Sequence, residues 1–260
     1  MTDLGNLHLF LLAGQSNMAG RGGVEPRDRE PHPRVLALSR NGEWQPAIDP
    51  IHFDKPCAGV GPGRAFARVL AEANESVTVG LIPCAAGGSP ISTWQPGGYW
   101  EQTRSRPYED AVARVRRATE DGVLKAVLWH QGESDATPEL AEGYAASLRE
   151  LIARLREDLG DRCLPFVIGQ LGRFDGKPWS PEREEVNRAH IAVAEEDPAA
   201  VFVSSEGLTS IGDRVHFDAA SQREFGRRYA AAYQRLAGSA GPKRPEPGPG
   251  PGQRDGNTGG

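Results

Sequence analysis

Short, nearly continuous apolar runs alternate along the chain with longer segments whose apolar residues recur about every 3.6 positions. The runs are typical of strands buried on both faces of a parallel sheet, and the longer segments are typical of amphipathic helices. The predicted strands are residues 7–13, 34–38, 77–82, 124–130, 165–171 and 201–204, and the predicted helices are 63–73, 108–120, 138–159, 181–196 and 219–236. Thr137 and Ser180 stand before two of these helices as candidate N-caps. The alternation predicts a three-layer α/β/α sandwich with a mainly parallel sheet.

Composition divides the chain into a folded part and a tail. Of the 260 residues, 38% are hydrophobic and 25% are charged, as in a soluble globular protein. We expect one large domain over residues 1–237. Residues 238–260 contain eight glycines and five prolines. Because such a segment has too little apolar surface to form a core, we expect a disordered tail there.

The charge balance and the cysteines restrict the partners and cofactors. The net charge is −5 and no long basic run occurs, which disfavours nucleic acid and anionic membranes as partners. Three cysteines without a CxxC pair indicate no metal or redox site, and they fit a reduced cytoplasm. No segment approaches the roughly 20 apolar residues that span a bilayer, and no secretion signal precedes the first strand. We therefore expect a cytoplasmic protein, whose oligomeric state the sequence leaves open.

Ser16 occupies the position of a nucleophile. The first predicted strand leads directly into the sequence GQSNMAG at residues 14–20. In open α/β sheets, ligands bind at the carboxyl edge of the strands, where this loop begins. Backbone N–H groups of the following turn can stabilise an oxyanion there. The alternative interpretation is that Ser16 caps a helix, which is a common role for serine.

Three further loops place polar residues near the same edge. The sequence DRVH brings Asp213 and His216 within one turn, so the carboxylate can orient the imidazole of a general base. The sequence WHQGESD follows the predicted strand 124–130, and Gln131 there can donate to an oxyanion. Its carboxylates, Glu133 and Asp135, are candidates for binding a sugar hydroxyl or for orienting a histidine.

The fourth loop, residues 84–105, is long and rich in glycine, serine, proline and tryptophan. Loops of this length are often functional. Gly87 and Gly88 allow a close approach of the backbone to a ligand. Trp94 is suited either to stacking on a sugar or to packing on the core.

Four motifs together resemble the SGNH (GDSL-like) hydrolase superfamily. They are GQSNMAGRG, GGSPISTW, WHQGESD and DRVHFD, and the resemblance extends over about residues 7–236. Within the superfamily they are similar to the sialate O-acetylesterase and acetylxylan esterase branch, carbohydrate esterase family six. The resemblance implies a flavodoxin-like sheet and a serine esterase, without metal or cofactor, that removes O-acetyl groups from carbohydrates.

The resemblance also implies roles for individual residues. Ser16 becomes the nucleophile and His216 the base, and the N–H groups of Ser16 and Gly88 stabilise the oxyanion. Gln131 takes the place of the superfamily's oxyanion asparagine. Asp213 is favoured over Glu133 as the carboxylate that orients His216, because its spacing from His216 is local. Substrate-binding roles are expected for Gln15, Asn17, Trp94 and His130.

Other functions remain as alternatives. A lipase or thioesterase of the same superfamily would need an apolar acyl groove, whereas the polar loops favour an acetylated carbohydrate. A catalytically silent carbohydrate-binding protein would not require Ser16, Asp213 and His216 together. A nucleotide-binding module is disfavoured, because Arg64 breaks the G-x-G-x-x-G pattern in GVGPGR and no Walker motif occurs.

Overall fold

The computed structural model describes residues 6–174, 176 and 178–238. The strands are β1 (Leu7–Gly14), β2 (Val35–Leu38), β3 (Trp44–Pro46), β4 (Thr78–Pro83), β5 (Val123–His130), β6 (Phe166–Gly169) and β7 (Ala200–Val203). The helices are α1 (Ser16–Ala19), α2 (Pro62–Ala73), α3 (Pro107–Ala118), α4 (Tyr144–Asp158), α5 (Pro181–Glu196) and α6 (Ala219–Gly238). The disordered tail predicted for residues 238–260 lies outside the described residues, apart from Gly238 at the end of α6.

The seven strands form one sheet in the order β3-β2-β4-β1-β5-β6-β7. All neighbouring strands are parallel except β2 and β3. The segment β4-β1-β5-β6-β7 has the 2-1-3-4-5 order of flavodoxin-like sheets, and β2 and β3 extend it beyond β4. The predicted α/β sandwich with a mainly parallel sheet is confirmed. Because β1 lies between β4 and β5, the loops after all three strands meet at its carboxyl end.

Strand β1 is buried on both faces, which explains why its sequence is a continuous apolar run. Leu9 and Leu11 belong to the core beneath α3, α4 and α5. Phe10 and Leu12 belong to the core beneath α2 and α6. The ring of Phe10 packs edge-on against Phe66 of α2, with the ring centroids 4.8 Å apart. A layer of helices therefore packs against each face of β1. Because this packing fixes the end of β1, it also fixes the start of the loop that follows.

Two local predictions needed correction. Helix α4 begins at Tyr144 instead of residue 138, because residues 137–143 form successive turns, in which the N–H groups of Leu140 and Tyr144 donate to carbonyls only three residues earlier. Strand β3 was not predicted, because a three-residue antiparallel edge strand that ends in Pro46 carries almost no periodic signal. The prediction for Ser180 is confirmed, since its hydroxyl accepts the Arg183 N–H at 3.3 Å.

Within the described ranges, no helix has both the length and the apolar character needed to cross a membrane. The same residues contain no group of three or more histidine, cysteine, aspartate or glutamate side chains arranged to hold a metal ion.

Candidate active site

Ser16 lies at the carboxyl edge of the sheet, in a turn whose shape depends on Gly14. The Gln15 N–H donates to the carbonyl of His130 at 2.9 Å, which fixes the turn to the end of β5. Gly14 has φ +126°, and a Cβ atom there would lie 2.1 Å from the same carbonyl oxygen. Only glycine fits this position. The turn makes Ser16 the first residue of α1, with 6% of its surface exposed.

His216 connects Ser16 to Asp213. Its Nε2 atom lies 3.0 Å from Ser16 Oγ, and its Nδ1 atom lies 2.6 Å from Asp213 Oδ2. The other carboxylate oxygen of Asp213 accepts the N–H groups of Val215 and His216 at 2.9 and 2.8 Å. Partial burial raises the pKa of Asp213, but these hydrogen bonds outweigh it and the net pKa is lowered. An ionised Asp213 therefore holds the imidazole with Nε2 directed at the serine hydroxyl.

The Gly87–Gly88 pair lies in the loop after β4. The Gly87 N–H donates to Asp54 Oδ2 at 3.0 Å, and the same oxygen accepts from Arg21 at 2.7 Å. Gly88 has φ +83°, and its carbonyl accepts the Ser134 hydroxyl at 2.9 Å. In the described part of the chain, the N–H groups of Ser16 and Gly88 have no hydrogen-bond acceptor. Of the two glycines, Gly88 is therefore the one with an N–H available to a ligand.

Asn17 clamps the segment that carries His216. Its amide donates to the carbonyl of Val215 at 3.0 Å and accepts the Phe217 N–H at 3.1 Å. The residues on both sides of His216 are thus attached to the residue that follows Ser16. The same amide donates to Glu133 Oε1 at 2.6 Å. Asn17 therefore fixes the spacing between the serine and the histidine instead of facing solvent.

Glu133 and Asp213 occupy different environments. The carboxylate in contact with the His216 ring is that of Asp213, whereas Glu133 contacts Asn17 and lies 3.7 Å from His130 Nδ1. Glu133 therefore contacts Asn17, and Asn17 in turn holds the segment that carries His216. The Glu133 carboxylate supports the position of His216 indirectly, through Asn17.

The amide of Gln131 is fully engaged within the protein. Its NH₂ group donates to Gln15 Oε1 at 3.2 Å, to the carbonyl of Ser89 at 3.0 Å and to Asp135. Its oxygen accepts the Tyr144 hydroxyl at 2.9 Å. No N–H of this amide is left for an oxyanion, so the geometry does not support the role that the sequence suggested. Gln131 instead joins the end of β5 to the loops after β1 and β4.

The four predicted substrate-binding residues are buried. Trp94 is 1% exposed, donates to the Ser89 hydroxyl at 3.0 Å and packs edge-on against Trp129. His130 is also 1% exposed, and its Nε2 atom lies 2.9 Å from the carbonyl of Gln170. Gln15 and Asn17 are equally enclosed. These predictions are corrected, because polar residues at strand ends have the same sequence pattern whether they face a ligand or tie loops together.

Near Gly87 and Gly88, sequence reasoning pointed to Gln102 as a polar residue of the surrounding loops but missed Trp100 and Lys55. The Trp100 indole N–H donates to the carbonyl of Gly87 at 3.1 Å. Lys55 donates to Gln102 Oε1 at 2.7 Å, and that oxygen would lie 3.2 Å from a Cβ atom on Gly88. The signal for Trp100 and Gln102 was present in the long loop of residues 84–105. Lys55 had no comparable signal.

Comparisons with known proteins agree with this architecture. Residues 6–235 match the sequence model of a family described as carbohydrate esterase, sialic acid-specific acetylesterase. With an open parallel α/β sheet and a serine–histidine pair at its carboxyl edge, the protein is a carboxylic ester hydrolase. The match covers nearly all of the described chain, and the protein belongs to this carbohydrate esterase family.

Individual relatives support the assignment. The chain is 35% identical over 247 residues to a probable carbohydrate esterase of Arabidopsis thaliana, covering 86% of this chain and 89% of the relative. It is 25% identical over 217 residues to a probable 9-O-acetyl-N-acetylneuraminic acid deacetylase of Escherichia coli (strain K12), covering 66% and 65% of the two chains. An X-ray structure of an Arabidopsis thaliana protein superposes with a TM-score of 0.78 at 32% identity, covering 88% of this chain and 98% of the other.

Proposed function

We propose that this protein is a serine esterase that removes O-acetyl groups from carbohydrates through an acetyl-enzyme intermediate. The observation that carries the proposal is the continuous contact from Ser16 Oγ to His216 at 3.0 Å and from His216 to Asp213 at 2.6 Å. The family and the name of the Escherichia coli relative support an acetylated sugar as substrate.

In the first half-reaction, His216 Nε2 takes the proton of Ser16 as Oγ attacks the acetyl carbonyl carbon. The resulting imidazolium is stabilised by the Asp213 carboxylate, which holds the Nδ1 proton. The tetrahedral intermediate then collapses, and the bond between the acetyl carbon and the sugar oxygen breaks. His216 returns its proton to that oxygen, so the sugar leaves as an alcohol and Ser16 carries the acetyl group.

In the second half-reaction, water replaces the sugar. His216 takes a proton from the water as its oxygen attacks the acetyl carbon, and the bond to Ser16 Oγ breaks. The serine oxygen takes the proton back from His216, and acetate is released. The 25% exposure of the His216 side chain gives water access to the imidazole.

Backbone groups stabilise the oxyanion in both steps. The N–H groups of Ser16 and Gly88, which have no hydrogen-bond acceptor among the described residues, are the two donors in this proposal. Losing one donor of an oxyanion hole costs on the order of 100- to 1000-fold in turnover. The extended loop of Gly87 and Gly88 is therefore part of the catalytic machinery in this proposal.

The decisive experiment compares acetate release by the wild-type protein and by Ser16→Ala. The panel contains acetylated xylo-oligosaccharide, O-acetyl sialic acid, 4-nitrophenyl acetate and 4-nitrophenyl octanoate. We expect Ser16→Ala to lose roughly 10⁴-fold or more in turnover on every acetyl ester, with an unchanged melting temperature. Ser204→Ala, which removes a hydroxyl bonded to Gln170 at the end of β7, is the matched control and keeps its activity.

The panel also separates the alternatives. Acetate release that persists in Ser16→Ala removes Ser16 from the reaction. Faster hydrolysis of octanoate than of every acetyl ester transfers the protein to the lipases. Silence of the wild-type protein on the whole panel supports a carbohydrate-binding protein without activity.

A further inference from the structure

A buried ion pair lies beside the loop after β4, and the proposed reaction does not use it. A guanidinium nitrogen of Arg21 lies 2.7 Å from Asp54 Oδ2, and the two side chains are 7% and 2% exposed. Arg21 follows α1, and Asp54 lies between β3 and α2. Taking two charges out of water is unfavourable, and replacing a buried pair by apolar residues is often neutral or stabilising. Stability alone therefore does not explain why two charges occupy this position.

The ion pair contacts the first glycine of the Gly87–Gly88 pair. Asp54 Oδ2 accepts the Gly87 N–H at 3.0 Å as well as the Arg21 guanidinium group. A Cβ atom on Gly87 would lie 2.6 Å from Asp54 Oδ2 and closer still to an Arg21 nitrogen. Any side chain at position 87 would therefore displace the ion pair.

Arg21 also contacts the segment that carries Ser16. A second nitrogen of its guanidinium group donates to the carbonyl of Gly20 at 2.7 Å. The Gly20 N–H donates to the carbonyl of Ser16 at 2.9 Å and closes the short helix α1, which begins at Ser16. A path of direct contacts thus runs from Ser16 through Gly20, Arg21 and Asp54 to Gly87.

Neutral donors hold the carbonyl groups of the glycine pair. The Trp100 indole N–H donates to the Gly87 carbonyl at 3.1 Å, and the Ser134 hydroxyl donates to the Gly88 carbonyl at 2.9 Å. Of the four backbone polar groups in the pair, the Gly88 N–H is the one without a partner among the described residues. Three side chains, those of Asp54, Trp100 and Ser134, therefore fix the direction of the N–H group that the proposed reaction uses.

We propose that Arg21 and Asp54 are positioning residues for the oxyanion hole, because their ion pair holds the Gly88 N–H at a fixed distance from the Ser16 N–H. The inference rests on the proposed esterase function, in which these two N–H groups stabilise the oxyanion. Neither charged side chain touches the substrate, and both act through Gly87. A donor is effective only where it meets the charge that develops in the transition state. A small displacement of Gly88 therefore lowers kcat and has little effect on KM.

The first test places a methyl group between the ion pair and the loop. The backbone at Gly87 does not have the positive φ that would exclude alanine, and the atoms that a methyl group would meet belong to side chains. Gly87→Ala therefore pushes the ion pair and the loop apart without straining the backbone. Since misplacement by about 1 Å costs roughly 100-fold, we expect a loss of this size in kcat for 4-nitrophenyl acetate, with KM nearly unchanged.

A double-mutant cycle shows whether this loss arises at the ion pair. Arg21→Ala/Asp54→Ala removes both charged groups together, so no unpaired charge stays buried. We expect this double variant to lose about 100-fold in kcat, and the addition of Gly87→Ala to cost less than about threefold more, because the methyl group then meets no side chain. Additive losses overturn the proposal, since a methyl group that obstructs the substrate does so in either background.

The pH profile separates this role from an effect on the base. The dependence of kcat/KM on pH, measured from about pH 5 to 9, reports the ionisation of essential groups such as His216. Because the ion pair acts on Gly88, we expect Arg21→Ala/Asp54→Ala to keep the midpoint of the wild-type profile at a lower amplitude. A shifted midpoint contradicts the proposal.

The matched control removes another partly buried ion pair, which lies at the ends of α4 and α5. Arg156 and Asp197 are 2.6 Å apart, and their side chains are 13% and 20% exposed. We expect Arg156→Ala/Asp197→Ala to lose stability and to keep wild-type kcat. An equal loss of kcat in the two double variants overturns the proposal, because instability then explains both.

Thermal unfolding shows which variants are folded at the assay temperature. Gly87→Ala leaves both charged groups in the protein, so it decides the question even where Arg21→Ala/Asp54→Ala does not fold. Wild-type kcat in folded Gly87→Ala overturns the proposal. Failure of the proposed function is a different outcome, in which Ser16→Ala hydrolyses 4-nitrophenyl acetate as fast as the wild-type protein, whatever the other variants do.

Discussion

The two sides of the Ser16–His216 contact are built very differently. Ser16 is buried at the end of the central strand, and Gln15, Gln131 and Asp135 connect its turn to neighbouring loops through buried hydrogen bonds. His216 lies on a loop where Asp213 is 39% exposed and Ile211 is 49% exposed. The proposed nucleophile thus lies in the buried core, whereas the proposed base lies on a more exposed loop.

This difference shows how a precise contact can be made from a surface loop. One residue of the loop is anchored in the core: Phe217 is fully buried, and its ring packs against His130, Phe174 and Phe225. The Ile211 N–H donates to the carbonyl of His216 at 3.0 Å, which closes the loop on itself. Asn17 then attaches both flanks of His216 to the rigid side. The position of His216 depends on this aromatic anchor and on a few hydrogen bonds, and each contact can be removed separately.

Among the variants that leave Ser16 in place, the largest effect is expected for the carboxylate on the exposed side. Asp213→Asn leaves the imidazole without the anion that fixes its tautomer, and we expect turnover to fall by about 10³- to 10⁴-fold. The measurement is kcat for 4-nitrophenyl acetate with circular dichroism as the check on folding. Asp218→Asn is the matched control, because Asp218 lies on the same loop and bonds Thr209 and Ser221 instead of His216.

A loss of less than threefold in Asp213→Asn contradicts the assignment. If Glu133→Gln then shows the large loss, the orienting role belongs to Glu133.

A smaller effect is expected when the clamp between the two sides is cut. Asn17→Ala removes both hydrogen bonds to the flanks of His216, so the base is no longer held opposite Ser16. Misplacement by about 1 Å costs roughly 100-fold in turnover, and we expect a loss of this size in kcat with little change in KM. The matched control is Asn187→Ala, which removes a buried asparagine that bonds Gln170 away from the site.

If both variants lose stability equally but only Asn17→Ala loses turnover, the clamp acts on position. Equal losses of turnover in the two variants indicate a general effect of instability instead.

The smallest effect concerns the pH dependence of the free energy of unfolding, which we expect to depend on buried histidines. Burial lowers the pKa of His52 to about 4 and that of His190 to about 3. The unfolded chain takes up protons on these histidines below about pH 6.5, whereas the folded protein does not. The free energy of unfolding therefore decreases as the pH falls from about 6.5 towards 4, by about 1.4 kcal/mol per pH unit for each histidine.

Urea unfolding at several pH values between 4 and 8 measures this slope. His190→Gln removes its share of the slope, whereas His32→Gln, at a partly exposed position, leaves most of it. A slope that His190→Gln does not reduce shows that His190 is not the source.

The sequence was most informative where a local pattern of residues alone determines the structure. The apolar runs located six of the seven strands, and the GQSN and DRVH motifs named the residues that meet at the carboxyl edge. Local spacing alone was sufficient for Asp213 and His216, because a turn of four residues brings them into contact.

The direction of a polar side chain was not predictable in the same way. Gln131, His130 and Trp94 stand at strand ends, where a ligand or a neighbouring loop can satisfy them equally well. In the structure, Gln131 donates to the Ser89 carbonyl and Trp94 donates to the Ser89 hydroxyl. The His130 ring is paired with the Gln170 carbonyl. These partners lie five to forty-two positions away in the sequence, and their distance in space depends on the packing of whole loops.

The contact between Ser16 and His216 spans 200 positions of the chain. The clamp from Asn17 to Phe217 spans the same separation, so almost the entire polypeptide forms one loop that these bonds close. Closing such a loop is a late and entropically unfavourable event compared with forming neighbouring strands. Recovery of esterase activity during refolding thus reports the joining of the two ends of the chain. A nascent polypeptide that stops before residue 216 can build most of the sheet and still lack the proposed base.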